Sequence, residues 1–232
     1  RAANRATPAG GTAGRDMPTA IALGLGLAAV FVALVKFLGS TGIMALVVAV
    51  LGLAAVEFYE KTQERGYRPA TVTGVLACVQ QPLAAYWRGE TGIVVGLFLA
   101  TVATMITMMG FSNVEAGPLP NAAITLLGIV WIGAMGSFAG LLLSGPLGEP
   151  RGTDTIFALV IAVVANDVGA LVVGSAGGRT PLRPWISPNK TLEGLIGGTV
   201  ASIGSMLLLK IANGEADTWI SGWHYVLFGL VV

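Results

Sequence analysis

Asn166 and Asp167 stand side by side inside an otherwise apolar run from Asp154 to Gly174, and they are the first residues here that demand a chemical explanation. A carboxylate within a membrane span costs about 3 kcal/mol even on lenient insertion scales, so Asp167 needs protein, water or a cation beside it. It can pair with a neighbouring helix for structure, hold a metal ion, carry a proton or contact a substrate. Twenty residues beyond it begins Ser187-Pro-Asn-Lys190-Thr191-Leu-Glu193-Gly194, followed by Gly197-Gly198. Ser187 or Asn189 can cap a helix start, which places Lys190, Thr191 and Glu193 in its first turns. Free backbone N–H groups at that terminus, with Lys190 and the guanidinium groups of Arg179 and Arg183, make a site for an anionic headgroup or a nucleotide phosphate. Plainer readings stand beside these. Glu193 can hold a cation, act as a base or cap its own helix. Arg179 and Arg183 also fit ordinary loop charges at a membrane surface, and Gly194, Gly197 and Gly198 also fit a close helix-packing face.

The elements that carry these residues must be membrane helices. Of the 232 residues, 54% are hydrophobic and 11% charged, against roughly 25% charged in a soluble domain. Apolar runs of about 20 residues, enough to cross a hydrocarbon core of about 30 Å, recur along the chain. They are rich in Leu, Val, Ala and Gly without strict alternation, which favours helices over the strands of a barrel. The fold class expected is all-α, a polytopic transmembrane bundle of about eight spans: Thr19 to Leu38, Thr41 to Tyr59, Ala70 to Trp87, Thr91 to Phe111, Ala122 to Ser144, Asp154 to Gly174, Thr191 to Ala212, and an eighth from near Trp223, cut off at Val232. Gly39 and Ser40 leave room only for a tight hairpin between the first two. Residues 1–16 read as a disordered cytosolic tail, 17–146 as an N-terminal bundle, and 147–232 as a C-terminal unit with the polar site, truncated at its end. The division rests on the Pro and Gly content of the Gly145 to Asp154 loop. Cys78 is the only cysteine, so no disulfide forms within one chain. The net charge of +1 gives no sign of a nucleic-acid partner.

Orientation follows from the basic residues. With a cytosolic N-terminus, Arg1, Arg5, Arg15, Lys61, Arg65, Arg68, Arg179, Arg183 and Lys190 lie inside, and Lys36, Arg88, Arg151 and Lys210 outside. That asymmetry is the positive-inside pattern. It makes the protein a multi-pass cell-membrane protein whose Ser175 to Lys190 connection faces the cytoplasm.

The run Ser187-Pro-Asn-Lys190-Thr191-Leu-Glu193-Gly194 with Gly197-Gly198, preceded by Asp167 near a span end, resembles the phosphatidate cytidylyltransferase (CDP-diacylglycerol synthase) family, whose pattern is Ser-Pro-x-Lys-Thr-x-Glu-Gly with a downstream Gly-Gly. Arg15-Asp-Met-Pro-Thr-Ala-Ile and Glu57-Phe are similar to the family as well. The resemblance implies an enzyme that joins CTP to phosphatidic acid, giving CDP-diacylglycerol and pyrophosphate with Mg²⁺, with room for a second, monovalent cation. It implies that Asp167 serves the metal or its water shell and that Lys190 meets phosphate charge. Ser187, Asn189 and Thr191 would bond to phosphate, and Glu193 would orient Lys190 or join the cation site. Asn166, Arg179, Arg183 and Gly194 fall in the same substrate-binding stretch. A homodimer in the lipid bilayer is also implied.

The family's second signature, nearer its C-terminus, with a Lys-Arg pair, a Lys-Asp pair, a His-Gly-Gly and an Asp-Arg before another Asp, does not occur in this sequence. Half of the implied metal site is therefore missing, and this segment alone is expected to be inactive. Leu171 stands where many relatives have Tyr. Other readings remain: a CTP-dependent polyprenol kinase relative, a secondary transporter built on an intramembrane Asp and Gly-broken helices, and a non-catalytic membrane scaffold.

Overall fold

The computed structural model describes residues 17–110, 117–144, 151–183, 187–213 and 222–232. The expected tail at 1–16 and residues 145–150 of the expected Gly145 to Asp154 boundary loop lie outside the described residues, and the last four residues of that loop, Arg151 to Asp154, are instead the first turn of α5. Among the described residues the chain is helical: α1 (Met17–Glu64), α2 (Thr71–Met109), α3 (Pro118–Gly128), α4 (Met135–Ser144), α5 (Arg151–Gly177), α6 (Leu192–Asn213) and α7 (Gly222–Val231). A π-helical stretch, Ile129–Ala134, joins α3 to α4. These helices bear out the all-α expectation, to which the structure adds one short hairpin: β1 (Pro181–Arg183) and β2 (Ser187–Thr191) pair antiparallel between α5 and α6.

Among the described residues, five helices are long and apolar enough to cross a membrane: Gly26–Glu64, Thr71–Met109, Pro118–Ser144, Arg151–Gly177 and Leu192–Ala212. The number differs from the eight spans expected because α1 and α2 each contain a reversal and because α7, at ten residues, is too short to be counted. Gly39 (φ 57°, ψ −138°) and Gly89 (φ 61°, ψ −146°) are non-helical within them, in a backbone region that is essentially reserved for glycine. The chain folds back at both. In α2 the hydroxyls of Thr73 and Thr107 lie 3.0 Å apart across 34 residues, where a straight helix would separate them by about 51 Å. In α1, Gly42 sits against the backbone of Leu34. The tight turn expected at Gly39 and Ser40 is present, its reversal centred on Gly39.

Packing sets which ends lie together. Tyr59 is fully buried and donates to the Thr125 carbonyl at 2.8 Å. The Thr125 hydroxyl oxygen accepts the Ala70 N–H at 2.9 Å, and Asn121 Oδ1 accepts the Arg68 N–H at 2.8 Å. These bonds tie the α1–α2 connection to α3. At the opposite end Gly140 presses on the backbone of Pro82, and Ile43, Met44, Leu143 and Ile156 form one buried cluster with Leu83 and Tyr86 packed on it. Gly152, at the start of α5, lies against Leu142 and Leu143. The reversals at Gly39 and Gly89 therefore share one end of the bundle with the start of α5. The end of α5 and the β1–β2 hairpin lie at the other.

Candidate active site

The hairpin sits where it does because α5 and α6 approach each other closely. A Cβ on Gly198 would overlap Asn166 Oδ1, and one on Gly169 would lie 2.9 Å from the Gly197 carbonyl oxygen. Backbones approach that closely in a membrane only through small residues. Near the hairpin, Gly194 is buried against α5, with Gly174 Cα 3.3 Å from the place a side chain would take. Its position in the sequence motif is thus accounted for by packing. Asn166 is half-buried, and its Nδ2 donates to the Val232 carbonyl at 3.1 Å. It links α5 to the end of α7, which packs on α5 and α6 through Tyr225, Ala158, Ala162 and Met206.

The start of α6 differs from the expectation. Ser187 and Asn189 do not cap it, because the chain from Ser187 to Thr191 is extended as β2. Thr191 is the cap: its Oγ1 accepts the Gly194 N–H at 3.2 Å, the bond of a threonine N-cap to the third helical residue. The Leu192 N–H donates to the Thr180 carbonyl at 2.9 Å. Two of the N–H groups expected to receive an anion are thus already engaged. Anion attraction at this end falls to side chains, since Lys190 and Arg179 are exposed and neither forms an ion pair among the described residues. Thr191 keeps its hydroxyl proton for an outside acceptor.

Glu193 is the tether of this region. Its Oε1 accepts the Thr180 hydroxyl at 2.9 Å, and its Oε2 accepts the Arg179 and Thr180 N–H groups, each at 3.2 Å. A carboxylate holding three donors fixes the chain that leaves α5 to the first turn of α6. Sequence reasoning missed Thr180, and the signal available was slight: a threonine before Pro181 in a stretch that reads as a loop.

Asp167 is exposed on α5, and no hydrogen bond or ion pair reaches its carboxylate among the described residues. Seven residues separate it from Gly174, which contacts Thr191. Seven residues are nearly two full turns, so Asp167 lies below Gly174 on one face of α5, about 10 Å further from the hairpin. Among the described residues no three His, Cys, Asp or Glu side chains gather into a metal cluster. The side chains of Arg183 and Asn189 lie outside the described residues, although their backbones belong to β1 and β2.

The decisive comparison covers nearly the whole chain. A model described as the cytidylyltransferase family matches residues 18–232. The chain belongs to the cytidylyltransferase family. A relative from Mycobacterium leprae (strain TN), named phosphatidate cytidylyltransferase, is 31% identical over 95% of this chain and 73% of its own length. One of the same name from Mycobacterium bovis is 28% identical over 94% of this chain and 73% of its length. One from Helicobacter pylori, also so named, is 53% identical over 66 residues, 27% of this chain and 24% of its own. This cytidylyltransferase-family enzyme is therefore a helical membrane protein whose Asp167-to-Gly198 region joins two closely packed helices through a clamped hairpin.

Proposed function

We propose that the protein is a phosphatidate cytidylyltransferase, joining CTP and phosphatidate to give CDP-diacylglycerol and pyrophosphate. The names of its relatives support that reaction. The observation that carries the assignment to this site is the Glu193 clamp, which holds Lys190 and Arg179 exposed beside a Thr191 hydroxyl at the mouth of the α5–α6 pair.

A lipid phosphate oxygen attacks the α-phosphorus of CTP, a new P–O bond forms, and the bond to the β-phosphate breaks as pyrophosphate leaves. Both reactants are highly anionic, so their approach and the charge passing to the leaving group call for fixed positive charge. Lys190 and Arg179 supply it, and Thr191 donates a hydrogen bond to a phosphate oxygen. Glu193 has a positioning role. Mg²⁺ fits the donor set, since one or two carboxylates with substrate phosphates is its usual company. Asp167, unpaired among the described residues, would hold it, and the ion would supply charge neutralisation at phosphate oxygens. A second, monovalent cation and a homodimer belong to the same proposal.

The two arms of α1 and of α2, with the Pro118–Ser144 helix, α5 and α6, give seven crossings, and α7 begins an eighth. The lengths support this, because 48 or 39 residues of unbroken helix would far overrun a core of about 30 Å. The distribution of basic residues supports a hairpin on the cytoplasmic side of the cell membrane.

The test uses a version of the protein extended past Val232, in mixed micelles with labelled CTP, comparing phosphatidate with dolichol. Label is expected in CDP-diacylglycerol, and Asp167→Asn and Lys190→Ala are each expected to lose on the order of 100-fold. Full activity in both variants would overturn the site, and phosphorylated dolichol would replace the reaction with a kinase. Solute flux in proteoliposomes without CTP turnover would make the protein a transporter.

A further inference from the structure

A groove of about 480 Å³ runs along the seam between the two arms of α2, at the end of the bundle remote from the hairpin. Its volume lies within the roughly 300–1,000 Å³ typical of ligand sites. Arg88 and Thr91 stand at the mouth beside the Gly89 reversal, Val95 and Leu99 form an apolar wall, and Gln80 closes the inner end. Eight residues separate Gln80 from Arg88, about 12 Å of helix, which is most of the thickness of one leaflet's hydrocarbon. Arg88 is exposed and forms no ion pair among the described residues, not even with Glu90 two positions on.

Polar groups continue behind the groove. Gln81 is fully buried, and neither atom of its amide has a partner among the described residues. A side chain on Gly96, which lines the groove, would begin 2.8 Å from Gln81 Oε1 and 2.9 Å from Gln80 Nε2. Two amides therefore meet at the groove's inner wall, where hydrocarbon offers nothing to bond. Unsatisfied buried amides are rare enough that each calls for a ligand or a water.

We propose that this groove holds one anionic glycerophospholipid from the leaflet opposite the hairpin. Its phosphate meets the Arg88 guanidinium and the Thr91 hydroxyl, its acyl-ester region accepts from the Gln80 amide, and one acyl chain lies over Val95 and Leu99. The charge at the mouth selects an anion. The exposed apolar wall, which free phosphate would leave uncovered, selects a lipid. The groove is at the other end of the bundle from Lys190 and does not depend on the proposed reaction.

The test is native mass spectrometry and thermal unfolding of the purified full chain in detergent, with phosphatidylglycerol, phosphatidylcholine of the same acyl chains, or inorganic phosphate added. One phosphatidylglycerol is expected to remain bound and to raise the melting temperature, with neither control doing so. Arg88→Gln is expected to weaken that retention about tenfold, as loss of a charge-assisted bond does, while Arg88→Lys keeps most of it and Gln80→Leu weakens it less. Equal retention of phosphatidylcholine, or equal protection by inorganic phosphate, would overturn the proposal. So would a folded Arg88→Gln protein that binds phosphatidylglycerol as the parent does. Should Arg88→Gln not fold, the lipid comparison on the parent and Ala84→Leu, which fills the groove, decide the matter.

Discussion

The Thr180 hydroxyl donates to Glu193 Oε1 at 2.9 Å, bridging thirteen residues and fastening the exit of α5 to the first turn of α6. Lys190 and Thr191 lie within the chain that this bond encloses. In the proposed reaction Glu193 therefore acts through the backbone that it holds.

Removing that tether should misplace the charges without unfolding the bundle. Glu193→Ala is expected to lower kcat/KM for CTP on the order of 100-fold, the scale of an ångström-sized displacement at a reacting centre. Glu193→Gln, which keeps one acceptor oxygen, should recover part of it. Thr180→Val should lose less than Glu193→Ala, and the double variant should lose little more than Glu193→Ala alone, since the two residues share one interaction. Steady-state kinetics of the four proteins check this.

The contact between Gly198 and Asn166 predicts a packing defect. Gly198→Val places two methyl groups where Asn166 Oδ1 lies, and overpacking of this kind costs about 1–3 kcal/mol. A lower melting temperature in detergent is expected, with Gly198→Ala intermediate. Gly204→Ala is the control, because nothing lies within 4 Å of the added carbon, and it should leave the melting temperature unchanged or slightly raised.

Strain predicts a different defect at the reversals. Gly39 and Gly89 have φ of 57° and 61°, and a side chain in that region costs about 1–3 kcal/mol. Gly39→Ala and Gly89→Ala should each lower thermal stability although neither added carbon meets a neighbour. An unchanged melting temperature in both would mean that the chain does not reverse there.

Sidedness can be read by thiol labelling. In a Cys78→Ala background, Lys190→Cys and Arg88→Cys should react with a membrane-impermeant maleimide from opposite faces of the bilayer, the former from the cytoplasmic face. Labelling of both from one face would rule out the arrangement in which the Gly89 reversal and the hairpin lie at opposite ends.

Much of the architecture was legible because a bilayer leaves a chain few choices. With hydrocarbon as solvent, apolar runs of this length must be helical, and a glycine between two of them marks a reversal, as Gly39 did. The motif from Ser187 to Gly198 likewise led to the cytidylyltransferase family before any geometry. The hairpin was not legible. Three residues in β1 and five in β2 are too few to show alternation, and a run broken by Pro181, Pro184 and Pro188 reads as loop. The cap was misplaced for the same reason, since extended pairing carries the chain past Ser187 and Asn189 to Thr191.

By itself, the sequence determined the solvent, the helical class, the family and the residues carrying charge, because each follows from residue type and local spacing. The tertiary structure alone decided that Glu193 is held by Thr180 and Arg179, that Gly194 is buried in the α5–α6 contact, and that Gln80 and Gln81 converge at Gly96. Those relations join residues 13 to 24 positions apart, and only the packing of one helix against another sets which side chains meet there.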